Sequence, residues 1–132
     1  AKTLADRIRA INFIKHKIQF LQTDAFKVIE QNSDNRNAYF FIDPPYTIAG
    51  KRLYTYFDID HEQLFYLTSK IQGKFMLTYD DTEEIRALAN KYHLAFRTIP
   101  MKTTHHLEKN EIIISDNFDW WTRTTGANSG LA

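Results

Sequence analysis

FFIDPPYTIAGKRLYTYF, residues 40–57, decides how the rest of this chain is read. It opens on a continuous aromatic and β-branched run, Ala38-Tyr39-Phe40-Phe41-Ile42, which predicts a strand buried on both faces. The run stops on Asp43, then on Pro44 and Pro45, and then presents Tyr46. Two prolines fix φ at successive positions, and each biases the residue before it toward extended geometry. A charge followed by a locked backbone and an aromatic is an unusual end for a core strand.

Reading outward, helical and strand periods alternate. Leu4, Ile8, Ile11 and Ile14 share one face at helical spacing. KIQFL (17–21) predicts a short strand, and TDAFKVIEQ (23–31) a helix with Asp24 placed to cap it. QNSDNRN is a run of turn formers. In DIDHEQLFYLTSKI, Asp60 followed by Gln63 has the capping-box spacing, Leu64, Leu67 and Ile71 supply the stripe, and Gly73 is the expected stop. KFMLTY is the next strand. Asp81 with Glu84 repeats the capping signal before Ile85, Leu88 and Tyr92. LAFRTIP and EIIIS are two further strands joined by a polar connection. This order predicts an α/β fold with a mostly parallel sheet and an antiparallel C-terminal edge hairpin.

Bulk properties narrow the function classes. At 132 residues the chain is one domain or part of one. Its net charge of +1 favours no partner, but Lys2, Arg7, Arg9, Lys15, Lys17 and Lys27 make the N-terminal quarter basic. There is no cysteine, which excludes disulfides, thiolate metal sites and cysteine nucleophiles. No apolar run approaches the ~18 residues of a membrane span, and no signal-peptide pattern opens the chain. The reading is a cytoplasmic protein without a membrane partner.

In open α/β sheets, ligands bind beyond the carboxyl ends of strands. Asp24, Asp43, Asp80 and Asp81 fall at such ends. Ionised Asp43 is an acceptor only, and the Pro44 carbonyl belongs to a residue with no N–H. A rigid pair of acceptors suits a group with two donors, an amino group. Tyr46 adds a flat face, and stacking of a base on an aromatic contributes about 1–3 kcal/mol. The tetrapeptide reads as a clamp for an amine on a planar heterocycle. Asp-Pro is also a common turn starter, and Tyr46 would serve equally in a core.

FFIDPPY resembles the catalytic motif of amino-group methyltransferases that use S-adenosylmethionine. The wider run is similar to the DNA adenine methylase class. IQFLQTDAF matches the strand and acidic residue before the motif, and LYTYFDIDHEQLFYL and FMLTYDD match the segments after it. The similarity covers roughly residues 4 to 116. It implies a partial Rossmann-like fold, S-adenosylmethionine as cofactor, and methyl transfer to N6 of an adenine rotated out of double-stranded DNA. By the same resemblance Asp43 and the Pro44 carbonyl hold the amine, Pro45 belongs to the catalytic motif, and Tyr46 stacks on the base. Asp24, Ala25 and Asp43 belong to the cofactor site, although Asp24 reads equally as a helix cap. No metal and no covalent intermediate are implied.

A family member also carries a glycine-rich loop after its first strand. None of Gly50, Gly73, Gly126 and Gly130 forms one. The DNA-recognition insert, expected before the strand ending at Leu21, is likewise not found. The expectation is the C-terminal catalytic part of a methyltransferase over residues 1–116, with a tail over 117–132, inactive alone. Its expected partners are double-stranded DNA and either a cognate restriction endonuclease or an N-terminal methyltransferase half.

Lys51 and Arg52 are candidates for DNA phosphate contacts. Tyr54, Tyr56 and Phe57 are candidates for the base pocket, and Tyr79 and Asp80 for its wall, whereas Asp81 reads as a plain cap. His105 and His106, adjacent in an extended connection, point to opposite faces and do not form a joint metal site. Trp120 and Trp121 are expected to pack back on the sheet or to mediate self-association. Two other readings stay open: an amino-methyltransferase acting on RNA guanine, and a non-catalytic module binding nucleic acid or a partner subunit.

Overall fold

The computed structural model describes residues 3–46, 59–102 and 108–120. Thr3-Leu4-Ala5-Asp6 closes a capping box in which the Asp6 amide donates to Thr3 Oγ1 and the Thr3 amide donates to the Asp6 carboxylate. Helix α1 runs from there over Leu4–Ile11, and a single 3₁₀ turn follows at Lys15–Lys17. Helix α2 covers Ala25–Asn32 and strand β1 Tyr39–Ile42. Helix α3 (His61–Thr68) leads into β2 (Lys74–Asp80), and α4 (Glu83–Lys91) into β3 (Ala95–Lys102) and β4 (Glu108–Ser115).

The four strands form one mixed sheet in the order β1-β2-β4-β3. β1 and β2 are parallel, with Phe40 beside Phe75 and Ile42 beside Leu77. β2–β4 and β3–β4 are antiparallel. The expected C-terminal hairpin is therefore present, with β4 inserted next to β2 and β3 at the edge. The mostly parallel sheet is not: among the described residues one pairing is parallel and two are antiparallel.

Period-two alternation builds the core. Phe75, Leu77 and Tyr79 of β2 and Ile112 and Ile114 of β4 lie fully buried on one face of the sheet. Ile29 of α2, Leu64 and Phe65 of α3, and Ile85 and Ala89 of α4 close over them. Segment 116–120 packs on the sheet as well. Phe118 is buried beneath the Arg97 guanidinium, and Trp120 meets Tyr39 edge-on at 6.4 Å between ring centroids. The Trp120 indole also donates to the Asn117 carbonyl at 3.0 Å. This fits the expectation that Trp120 packs back; Trp121 lies outside the described residues.

Four local expectations need correction. KIQFL is not a strand. Ile18 has extended dihedrals (φ −108°, ψ 127°), but residues 18–24 join no ladder, and extended backbone without a partner is not sheet. β1 is not covered on both faces. Phe40 and Ile42 face the core, while Tyr39 and Phe41 remain 75% and 69% exposed. Helix α3 ends at Thr68 rather than at Gly73, with the Ser69 hydroxyl donating to the Tyr66 carbonyl. Gly73 serves a different need: a Cβ there would sit 2.4 Å from the Ala38 carbonyl oxygen and 2.7 Å from that of Asn35. Finally, Thr82 rather than Asp81 caps α4, accepting from the Ile85 amide at 3.3 Å. The Asp81 carboxylate is engaged elsewhere, by Arg86 Nε and Nη2 at 2.6 and 2.7 Å and by the Thr98 hydroxyl at 2.8 Å. The caps expected at Asp24 and Asp60 both form, to Phe26 N at 2.9 Å and Gln63 N at 2.8 Å.

Candidate active site

Asp43 follows the last residue of β1, at the carboxyl end of the parallel β1–β2 pair. Continuing the register Ile42–Leu77 by one residue brings Asp43 level with Thr78. Both side chains then leave the sheet on the face opposite Leu77 and Tyr79. Thr78 is buried, and its hydroxyl donates to Asp43 Oδ1 at 2.7 Å. The Ile42 carbonyl, at 3.5 Å, is a far weaker acceptor for the same proton.

Tyr46 comes next to this pair. Its ring leans on Tyr79, 5.9 Å between centroids at 34°. Its hydroxyl is hydrogen-bonded to Thr78 and Asp43. Burial, reinforced by the nearby Asp43 and Glu111 carboxylates, pushes the Tyr46 phenol up to about 12 against the opposing Thr78 bond. Tyr46 is thus a neutral donor at any physiological pH. Tyr79 is fully enclosed, and burial raises its phenol further. It stacks on Phe65 at 5.7 Å and its hydroxyl meets His61 Nδ1 at 2.7 Å. Tyr79 accordingly reaches the site through Tyr46, as the floor on which that ring rests. Asp80, also buried, ends β2 opposite Glu111.

On the other side of Asp43 lies a cavity of about 470 Å³, within the range of ligand pockets. Segment 19–23, the first turns of α2, β1 and the two prolines form its walls. Ala25, Asp43, Pro44 and Pro45 all line it, together with Leu21, Phe26 and Phe40. Asp24 stands between two lining residues, Thr23 and Ala25, and its Oδ1 caps α2. The structure therefore gathers Ala25, Asp43, Pro44, Pro45, Tyr46 and Tyr79 around one strand end, with Asp24 at the rim. Lys51, Arg52, Tyr54, Tyr56, Phe57, His105 and His106 lie outside the described residues.

A match to the model of D12 class N6 adenine-specific DNA methyltransferases spans residues 1–107. The chain belongs to this family. Curated proteins offer no match. Members of the family depend on S-adenosylmethionine and methylate adenine in DNA. Among the described residues of this D12 family member, no helix is long and apolar enough to cross a membrane.

Thr78 and His61 escaped the reading of the sequence. LTYDD draws attention to its acids and its tyrosine, whereas Thr78 becomes conspicuous only once the parallel register sets it beside Asp43. His61 lies in the first turn of α3, and only the fold sets its Nδ1 2.7 Å from the Tyr79 hydroxyl.

Proposed function

We propose that this chain carries the catalytic clamp of a site-specific adenine-N6 DNA methyltransferase with a Rossmann-like catalytic domain. The observation that carries the proposal is the Asp43-Pro44-Pro45-Tyr46 segment at the carboxyl end of β1, with a cavity on one side of Asp43 and the Tyr46 ring on the other. The residues present fit the cofactor class. Leu21, Phe26, Pro44 and Pro45 offer apolar walls to a purine, and Ala25 opens α2 at the rim. Bound there, S-adenosylmethionine supplies an electrophilic methyl group. Asp43 and the Pro44 carbonyl accept hydrogen bonds from the two N–H groups of the adenine amine. That orientation turns the nitrogen lone pair away from the ring and toward the donor. The Asp43 carboxylate also offsets the positive charge that grows on the nitrogen. Tyr46 presents its ring to the extruded base, backed by Tyr79.

Donor binding also requires the glycine-rich loop that these 132 residues do not contain. The exposed apolar flank supports a partnering segment: Tyr39 and Phe41 of β1, the apolar stripe of α1, and Ile18, Phe20 and Leu21 are all about half exposed or more. We assign residues 1–116 to the catalytic domain and 117–132 to its tail. By itself the chain does not methylate DNA; with the donor-binding half it does.

Mass-spectrometric detection of N6-methyladenine tests both statements. Asp43→Ala in the full-length protein is expected to lower turnover by about 10³-fold or more, with DNA affinity nearly unchanged. Near-normal turnover by that variant would refute the clamp. Robust methylation by the isolated chain would refute the need for a second half.

A further inference from the structure

Asp43 is exposed just beyond the end of β1, and its carboxylate is free to rotate unless something holds it. An amine clamp needs one oxygen of that carboxylate at a fixed place beside the Pro44 carbonyl. Prolines lock the backbone of this segment but leave the Asp43 side-chain torsions open.

We propose that Thr78 is the positioning residue for Asp43, and that its hydroxyl fixes the carboxylate so that Oδ2 is presented to the substrate amine. The proposal rests on the adenine-methyltransferase reading of the site.

Three observations carry it. The bond from Thr78 Oγ1 to Asp43 Oδ1 is 2.7 Å, the length of a charge-assisted O–H···O contact. Thr78 is itself rigid: it is buried, β-branched and held in β2 between β1 and β4, opposite Ile113. A hydroxyl has one proton, and its other two acceptors are weaker: the Ile42 carbonyl is 3.5 Å away, and the Tyr46 hydroxyl oxygen is neutral where Asp43 is charged. The donor therefore goes to Asp43 and saturates one lone pair of Oδ1. Tyr46, whose hydroxyl also meets this pair, links the carboxylate to the stacking ring. Clamp and ring thereby share one hydrogen-bonded group anchored on the buried Thr78 hydroxyl.

The test compares Thr78→Val, which keeps shape and loses the donor, with Thr78→Ser, which keeps the donor. Both are made in the full-length protein and assayed on duplex DNA. Thr78→Val is expected to lower kcat by about 10–100-fold, the cost of misplacing a reacting group by about 1 Å. KM for DNA and for S-adenosylmethionine, and the urea unfolding midpoint, should hardly move. Thr78→Ser should restore most of kcat. In an Asp43→Ala background, Thr78→Val should have no further effect. Unchanged kcat in Thr78→Val, or an equal loss in Thr78→Ser, would overturn the assignment. A crystal structure of Thr78→Val gives a readout independent of turnover. The Asp43 carboxylate is expected to leave its present rotamer, and its retention there would overturn the role. Wild-type protein that methylates no adenine would instead overturn the functional reading itself.

Discussion

The two sides of β2 are built from similar residues and end differently. Toward β4, every apolar side chain on the core face is closed over: Phe75, Leu77, Tyr79, Ile112 and Ile114 are at most 1% exposed. Toward β1 and the N-terminal segment, Phe13, Phe20, Tyr39 and Phe41 are 69–85% exposed. Composition cannot separate these regions, since both are rich in aromatic and β-branched residues. What separates them is partnership: β2 and β4 have strands on both sides and helices above, whereas among the described residues β1 pairs on one side only. The site sits on the boundary, at the end of β1. Its half facing β2 is fixed by Thr78 and Tyr79, and its other half opens into the cavity.

Substitutions can break or sharpen this contrast. Phe75→Ala on the closed side should cost about 3–5 kcal/mol in urea unfolding, because it empties a fully packed site. Phe41→Ser on the open side should change the stability of the isolated chain by less than about 0.5 kcal/mol. Equal losses from the two would show that the open side is covered.

Gly73→Ala comes next. Its new methyl would meet two backbone carbonyls, and the turn at 35–38 would have to yield, at about 1–3 kcal/mol.

The Asp81–Arg86 pair follows, at about 1–2 kcal/mol for Asp81→Asn, since the Arg86 end is half exposed and screened. The Arg86 hydrogen bonds hold the Asp81 carboxyl below its ordinary range. A depressed carboxyl contributes stability above its unfolded value, near about 4, and that contribution fades as pH falls through the folded value. Asp81→Asn should therefore flatten part of the acid limb of a stability–pH curve and narrow the gap to wild type as pH falls through the folded value.

The smallest effect expected is that of Thr3→Ala. It removes a complete capping box, yet α1 buries no residue. Helix content should fall slightly, with the global unfolding midpoint unmoved.

Much of this was legible in the sequence because it rests on local chemistry. Asp24 and Asp60 cap their helices as their spacing implies, for an N-cap is settled within four residues. Asp81 failed the same test because its carboxylate found Arg86 and Thr98, the latter 17 residues away. KIQFL has strand composition, but a strand exists only when another pairs with it, and composition does not say whether one does. The buried-strand reading of AYFFI failed on one face for the same reason.

By itself, the sequence determined the clamp's chemistry: an acidic residue, two prolines and an aromatic after an apolar run allow two acceptors and a flat face whatever surrounds them. It also determined the helix caps at Asp24 and Asp60 and the C-terminal hairpin. Only the tertiary structure decided what holds that clamp. Parallel pairing sets residues 35 positions apart side by side, so a threonine inconspicuous in the chain became the donor on Asp43. The fold likewise placed Tyr79 beneath Tyr46 and left one flank of β1 open, because pairing and burial are properties of neighbours in space rather than in sequence.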